Sequence, residues 1–236
     1  MIVIPEEKSL LLITQGDHAH LAAELLSLCR FPELTAHARR RLLLEATREH
    51  DNGWRESDAA PSLDPTSASP YSYLTLPDAE RRRVWTRACE RFRDAEPYVA
   101  LLITEHALAL HRPLSGQGRW DDWLAEIETA RNELLDEADC DLEALASDYA
   151  LLRFADLCAL ACCGGSPSSF DYHGVAGMAD DSTLYLDPLP LVGTTSFRVA
   201  CRRVPLQAYG SDTELGVALA TARWQRRTIR VTHGAG

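Results

Sequence analysis

Leu151-Leu-Arg-Phe-Ala-Asp156-Leu-Cys-Ala-Leu160 is the stretch on which the reading of this chain turns. Apart from Arg153 and Asp156 every residue in it is apolar, and no glycine or proline interrupts the chain from Leu142 to Cys163. An apolar run of that length, too long for a strand, reads as a helix buried on most of its sides. Asp141 can cap its start. An ionised carboxylate at Asp156 is costly in such surroundings unless a cation accompanies it. Arg153, one turn earlier, is one candidate cation; a bound metal is another.

Outward from this helix the pattern stays helical. Apolar periodicity predicts helices at about 17–30, 33–51, 78–94, 97–111 and 120–138, with Asp17 as N-cap of the first and Pro97 in the first turn of the fourth. Residues 52–77 read as a long loop rich in Pro, Ser, Asp and aromatics, and loops of that length are often functional. Downstream, Gly164-Gly-Ser-Pro-Ser-Ser169 breaks the pattern. Segments 183–186, 195–201 and 228–232 then read as strands, with a short helix at about 211–224. Segments 2–4 and 9–13 read as an N-terminal hairpin able to pair with them. The expectation is a mainly α protein with one domain over 1–236: a helical core at 14–163 and a small β-rich annexe from 1–13 and 166–236.

The chain of 236 residues carries a net charge of −11, which repels phosphate backbones at long range. Its strongest basic cluster, Arg39-Arg40-Arg41, lies in a helical pattern and reads as a solvated face, so no nucleic-acid partner is expected. Lys8 is the sole lysine, a skew that points to base composition rather than function. No apolar run is long enough to cross a bilayer, and Met1–Lys8 lacks the basic start and apolar stretch of a signal peptide. A cytoplasmic protein without membrane association is the expectation. The seven cysteines fit no zinc spacing. Cys158, Cys162 and Cys163 fall in the apolar helix, which reads as small buried thiols in a reducing compartment.

Histidine and aspartate recur where helices should face one another. His18 lies early in the first helix, His50-Asp51 ends the second, His106 sits within Leu101–His106-Ala-Leu108, and Asp156 has been noted. Imidazole nitrogen and carboxylate oxygen suit divalent manganese, zinc, iron, nickel or cobalt. Two histidines and two aspartates leave coordination positions open for water, as a catalytic site requires. His18 and His20 point about 200° apart on a helix, so at most one faces the site.

The order His18, His50-Asp51, Asp156 resembles the HD superfamily of metal-dependent phosphohydrolases. Gln15-Gly-Asp-His18-Ala, Glu49-His-Asp-Asn-Gly-Trp-Arg-Glu-Ser-Asp-Ala-Ala-Pro61, Tyr98–His106 and Arg153-Phe-Ala-Asp156 resemble more narrowly a bacterial family known as domain of unknown function 3891. The resemblance spans nearly the whole chain and prefers His18 to His20. It implies an HD-like helical bundle with His18, His50, Asp51 and Asp156 as metal ligands.

The function expected is hydrolysis of a phosphate ester or related small molecule through a metal-activated water. Asp51 would also orient or deprotonate that water. His106 would contact substrate or metal, and Trp54, Arg55 and Arg153 would complete the substrate side. Trp54 stands where some HD hydrolases carry Glu or Lys; it neither donates a proton nor neutralises phosphate, leaving Glu56, Asp58 or Arg55 as substitutes. His111 is rotated away from His106 and is the weaker candidate. Two alternatives stay open: a non-enzymatic metal-binding or interaction module, and a di-iron oxygenase on the same scaffold.

Overall fold

Four consecutive buried residues, Leu10 to Ile13, make β2 (Ser9–Ile13) a strand covered on both faces. Side chains alternate across a strand. In the computed structural model, which describes residues 1–234, Leu11 and Ile13 enter the main core. Leu10 and Leu12 instead join Val204, Tyr209, Leu215 and Leu219 in a small second core beneath a separate helix, α9 (Asp212–Thr221).

β2 pairs antiparallel with β1 (Ile2–Pro5) on one side and with β8 (Thr195–Pro205) on the other. β8 pairs antiparallel with β9 (Gln225–His233), which runs parallel to β7 (Thr183–Asp187). β6 (Val175–Asp180) and β5 (Ser169–Tyr172) complete a seven-stranded sheet of order β1-β2-β8-β9-β7-β6-β5. The sheet curls into a half-barrel, and about half of the chain is helical and about a fifth strand. This overturns the expectation of a mainly α, HD-like bundle with a small annexe. Two strands at one end of the sheet hid themselves: Ser169-Phe-Asp-Tyr172 and Val175-Ala-Gly-Met-Ala-Asp180 carry glycine, alanine and aspartate, residues depleted in strands.

The helices are α1 (Gln15–Leu28), α2 (Pro32–Thr35), α3 (Arg40–Glu49), α4 (Arg55–Ala59), α5 (Asp78–Glu90), α6 (Pro97–His111), α7 (Asp121–Glu137) and α8 (Leu142–Cys162). α8, capped by Asp141 accepting the Ala144 N–H at 2.8 Å, is buried as its sequence demanded. It packs on α1, α3 and α6, and on β5, β6 and β7 across from them. Phe154 is fully buried between Phe31 and Phe170.

Three expectations fail locally. The helix foreseen at 33–51 breaks into α2 and α3, because His37 turns inward: its Nδ1 accepts the Arg39 N–H at 3.0 Å and its Nε2 donates to the buried Asp148 at 2.6 Å. Tyr98 OH donates to the other Asp148 oxygen at 2.6 Å. Arg39 and Arg40 do not form a solvated face; they donate to Ala138, Asp139 and Ser27 carbonyls at the ends of α7 and α1, where helix dipoles favour cations. The long loop is largely folded, into a 3-10 turn (Asn52–Trp54), α4 and a ribbon of β3 (Leu63–Asp64) and β4 (Ser69–Pro70). Among the described residues, no helix is long and apolar enough to cross a membrane.

Candidate metal centre

β2 runs almost directly into α1. Thr14, rather than Asp17, is the cap, accepting the Asp17 N–H at 3.0 Å. That start puts His18 on the inward side, fully buried, and His20 on the surface. α3 delivers His50 and Asp51 at its end, and the 3-10 turn that follows lies against α5. A Cβ on Gly53 would stand 2.0 Å from the Val84 carbonyl oxygen, so only glycine permits that approach. Asn52 Nδ2 donates to the Glu49 and Ala88 carbonyls, and Arg87 and Arg91 donate to the Gly53 and Asn52 carbonyls. The doublet is thus held by its neighbours rather than left at a fraying end.

Four elements bring the ligand candidates together. His18 lies between the carboxylates, Nδ1 at 3.2 Å from Asp51 Oδ2 and Nε2 at 3.1 Å from Asp156 Oδ1. His50 Nε2 is 3.4 Å from each of the same two oxygens. None of these contacts has hydrogen-bond geometry, so three imidazole nitrogens are buried without a partner. Donor atoms about 2.1 Å from a shared ion lie roughly 3.0–3.4 Å from one another. The separations are of that size, but one ion takes one nitrogen of a ring, so His18 reaches Asp51 and Asp156 through different nitrogens and the donor atoms fall into two sets, the first being His18, His50 and Asp51. His106 joins through a second group with His50 and Asp156, whose donor atoms all lie within 4.8 Å.

The surrounding bonds orient these donors. His50 Nδ1–H donates to the Thr47 carbonyl at 2.7 Å, which leaves the Nε2 lone pair for the cluster. Arg153 binds Asp156 Oδ2, so Oδ1 alone faces the histidines. Of the two cations foreseen for the buried aspartate, Arg153 is in place on Oδ2, and Oδ1 is left to the histidines. Burial opposes charge on His50, but the Asp51 and Asp156 carboxylates raise its imidazole to about 10. Burial would raise the carboxyls of Asp51 and Asp156; the histidines hold both well below the usual range. Burial pushes His106 down to about 3, leaving a neutral imidazole fit to ligate.

A cavity of about 250 Å³ opens over the cluster, lined by Asp51, His106 and Asp156. Trp54 and Arg153 also line it, as sequence reading expected of the substrate side. Arg55 does not: it pairs with Glu49 on the surface. Glu56 is exposed and pairs with Arg87 and Arg91, and the buried Asp58 is occupied by the Gln15 N–H at 2.6 Å, so neither substitutes in the cavity. His111, discounted on rotation, lines it all the same. Its Nδ1–H donates to Ala107 at 2.7 Å, and its ring stacks on Trp120 at 4.8 Å. Arg81, Gln15 and Tyr73 line the cavity and were missed. Nothing marks Arg81 within Glu80-Arg-Arg-Arg83, but Gln15 and Tyr73 stood in segments already singled out.

A family profile described as “Protein of unknown function (DUF3891)” matches residues 1–205. The chain belongs to this family. The DUF3891 match contains the whole cluster and ends with β8, leaving α9 and β9 outside it. No curated protein and no solved structure matches the chain.

Proposed function

We propose that this DUF3891 chain is a metal-dependent hydrolase of a small molecule, with a phosphate ester as the leading substrate class. The observation that carries this reading is the set of buried, unpartnered imidazole nitrogens held 3.1–3.4 Å from two carboxylate oxygens beside a cavity. His18, His50, Asp51 and Asp156 would hold a divalent ion (manganese, zinc, iron, nickel or cobalt), with His106 as a further ligand or a substrate contact. Such an ion lowers the pKa of a bound water towards neutrality and polarises the scissile group. Asp51 would orient or deprotonate that water, and Arg153 both binds Asp156 and lines the cavity. The order of the four ligand candidates in the sequence resembles that of the HD superfamily, and this resemblance is what suggests hydrolysis.

Metal analysis of the purified protein, with a phosphatase and phosphodiesterase screen under added manganese, cobalt or nickel, tests it. The expected result is bound metal and an activity lost in His50→Ala. A protein that holds no metal and shows no activity with any of the three sinks the reading.

One observation favours a metal-binding module without catalysis. Among the described residues, the cavity has no carboxylate beyond the two ligand candidates, so a separate general acid would have to come from His111 or Tyr73. In that case His50→Ala lowers metal content and stability and there is no turnover to lose.

A further inference from the structure

Arg81, on α5, lines the cavity as an oriented cation whose one carboxylate partner, Asp78, is distant and shared. Its Nη2 donates to the Leu76 carbonyl at 3.0 Å and, less closely, to Leu74 at 3.4 Å. Its nearest carboxylate oxygen, Asp78 Oδ1, is 4.0 Å away, and the other Asp78 oxygen takes Arg119 at 2.7 Å. Arg81 Nε is buried and has no partner. A guanidinium held by carbonyls keeps its charge and part of its donor fork for something else.

The charges around the cavity say what that is. Asp51 and Asp156 contribute two negative charges, and a divalent ion at the cluster cancels them. Ligated imidazoles are neutral. Arg81 and Arg153 then leave two positive charges facing a small space. Two further lining residues, Trp54 and Gln15, are buried with a donor (Nε1) and an acceptor (Oε1) unused. The cavity of about 250 Å³ holds roughly eight water volumes at about 30 Å³ each. It admits a ligand of on the order of ten non-hydrogen atoms. We propose that the cavity takes a compact dianion, the phosphate monoester of a small alcohol, gripped by Arg81. This rests on the metal-centre reading above. It adds a charge requirement, a size limit that a nucleotide exceeds, and a binding residue on a helix that supplies no ligand.

The probe is inorganic phosphate, titrated by calorimetry into the manganese-loaded protein. The parent binds phosphate, and sulfate, a dianion, displaces it while nitrate, a monoanion of similar size, does not. Arg81→Gln weakens phosphate binding about tenfold to a hundredfold, the worth of a charge-assisted bond, with manganese content unchanged. Arg83→Gln, an exposed neighbour paired with Glu80, leaves it unchanged. Small phosphate monoesters bind in competition with phosphate, and nucleoside monophosphates bind at least tenfold more weakly. Phosphate that binds without any monoester being hydrolysed removes the hydrolase reading and leaves this one standing. The inference is overturned by a protein that takes no metal or, once loaded, no phosphate. It is overturned equally by parent-like affinity in Arg81→Gln, by displacement with nitrate, or by nucleotides binding as well as small esters. The sulfate and nitrate comparison decides the charge requirement even where Arg81→Gln fails to fold.

Discussion

Gly53→Ala tests whether the His50-Asp51 doublet is held in place by backbone contact with α5. The added Cβ would lie 2.0 Å from Val84 O and 3.0 Å from Ala88 Cβ and N. Ordinary contact begins near 3.4 Å, so something must move by about 3.4 − 2.0 = 1.4 Å. Val84 O belongs to the α5 backbone and cannot swing aside as a side chain would. Overpacking of this kind costs about 1–3 kcal/mol. Separating the turn from α5 also loosens the bonds from Arg87 to Gly53 O and from Asn52 to Ala88 O, each worth about 1 kcal/mol. The total, on the order of 3–5 kcal/mol, lowers the melting temperature by roughly 6–20 °C in a chain of this size. Metal affinity should fall further still, because coordination tolerates only about ±0.2 Å in ligand distance. The control is Gly216→Ala in α9, where a Cβ meets nothing within 4 Å and alanine should add about 0.5–1 kcal/mol. Thermal melts with and without manganese, and a manganese titration, give both readouts. A Gly53→Ala protein that melts within 2 °C of the parent (well under the roughly 6 °C predicted) and binds manganese equally well would refute the account of that turn.

Three further outcomes follow from named contacts. At a metal concentration about a hundredfold above its dissociation constant, binding adds about 2.7 kcal/mol, so the melting temperature rises by roughly 5–10 °C in the parent and hardly at all in His50→Ala. His111 gives a pH dependence: burial, helped by Arg81, lowers its imidazole to about 4 against the usual 6.5. Above pH 6.5 neither state is protonated there; below it the unfolded chain takes up a proton that the folded one refuses, so stability falls with pH until about 4. The stability gap between the parent and His111→Phe should therefore narrow by about 2 kcal/mol between pH 7.5 and pH 5, measured by urea unfolding. Tyr98→Phe strips a buried donor from Asp148, should cost about 1–3 kcal/mol by the same assay, and should leave metal content unchanged.

The cluster was legible because its chemistry is local to each segment. A carboxylate inside an apolar helix and a histidine on the first inward turn of another each pose a problem that sequence shows directly. What sequence does not show is direction across a gap. Arg81 is one of three successive arginines on an exposed-looking turn, and only the approach of α5 to the His-Asp turn puts it over the cavity. His111 was rejected on helical rotation, which holds for the α6 axis but ignores how a cavity wraps around a helix end. The sheet was underestimated because β5 and β6 are short and poor in β-formers. Their places in the sheet depend on pairing, β6 with β7 and β5 with β6, not on local preference.

That correction changes how the centre is supported. The strands flank the ligand segments rather than trail behind them. β2, sewn between β1 and β8, ends at Ile13, and the Thr14 cap starts α1 only four residues before His18. α8 carries Asp156 with the sheet packed along it through β5, β6 and β7. A shift of the sheet therefore moves the first and last ligands together, while His50 and Asp51 answer to α5. α3 also packs on α1 and α8, but the turn after it is tied to α5, so a core change such as Phe154→Ala, beside Phe170 on the sheet, should disturb His18 and Asp156 more than the doublet. Weakened metal binding with the Gly53 turn still protected from hydrogen exchange would be the signature of that division.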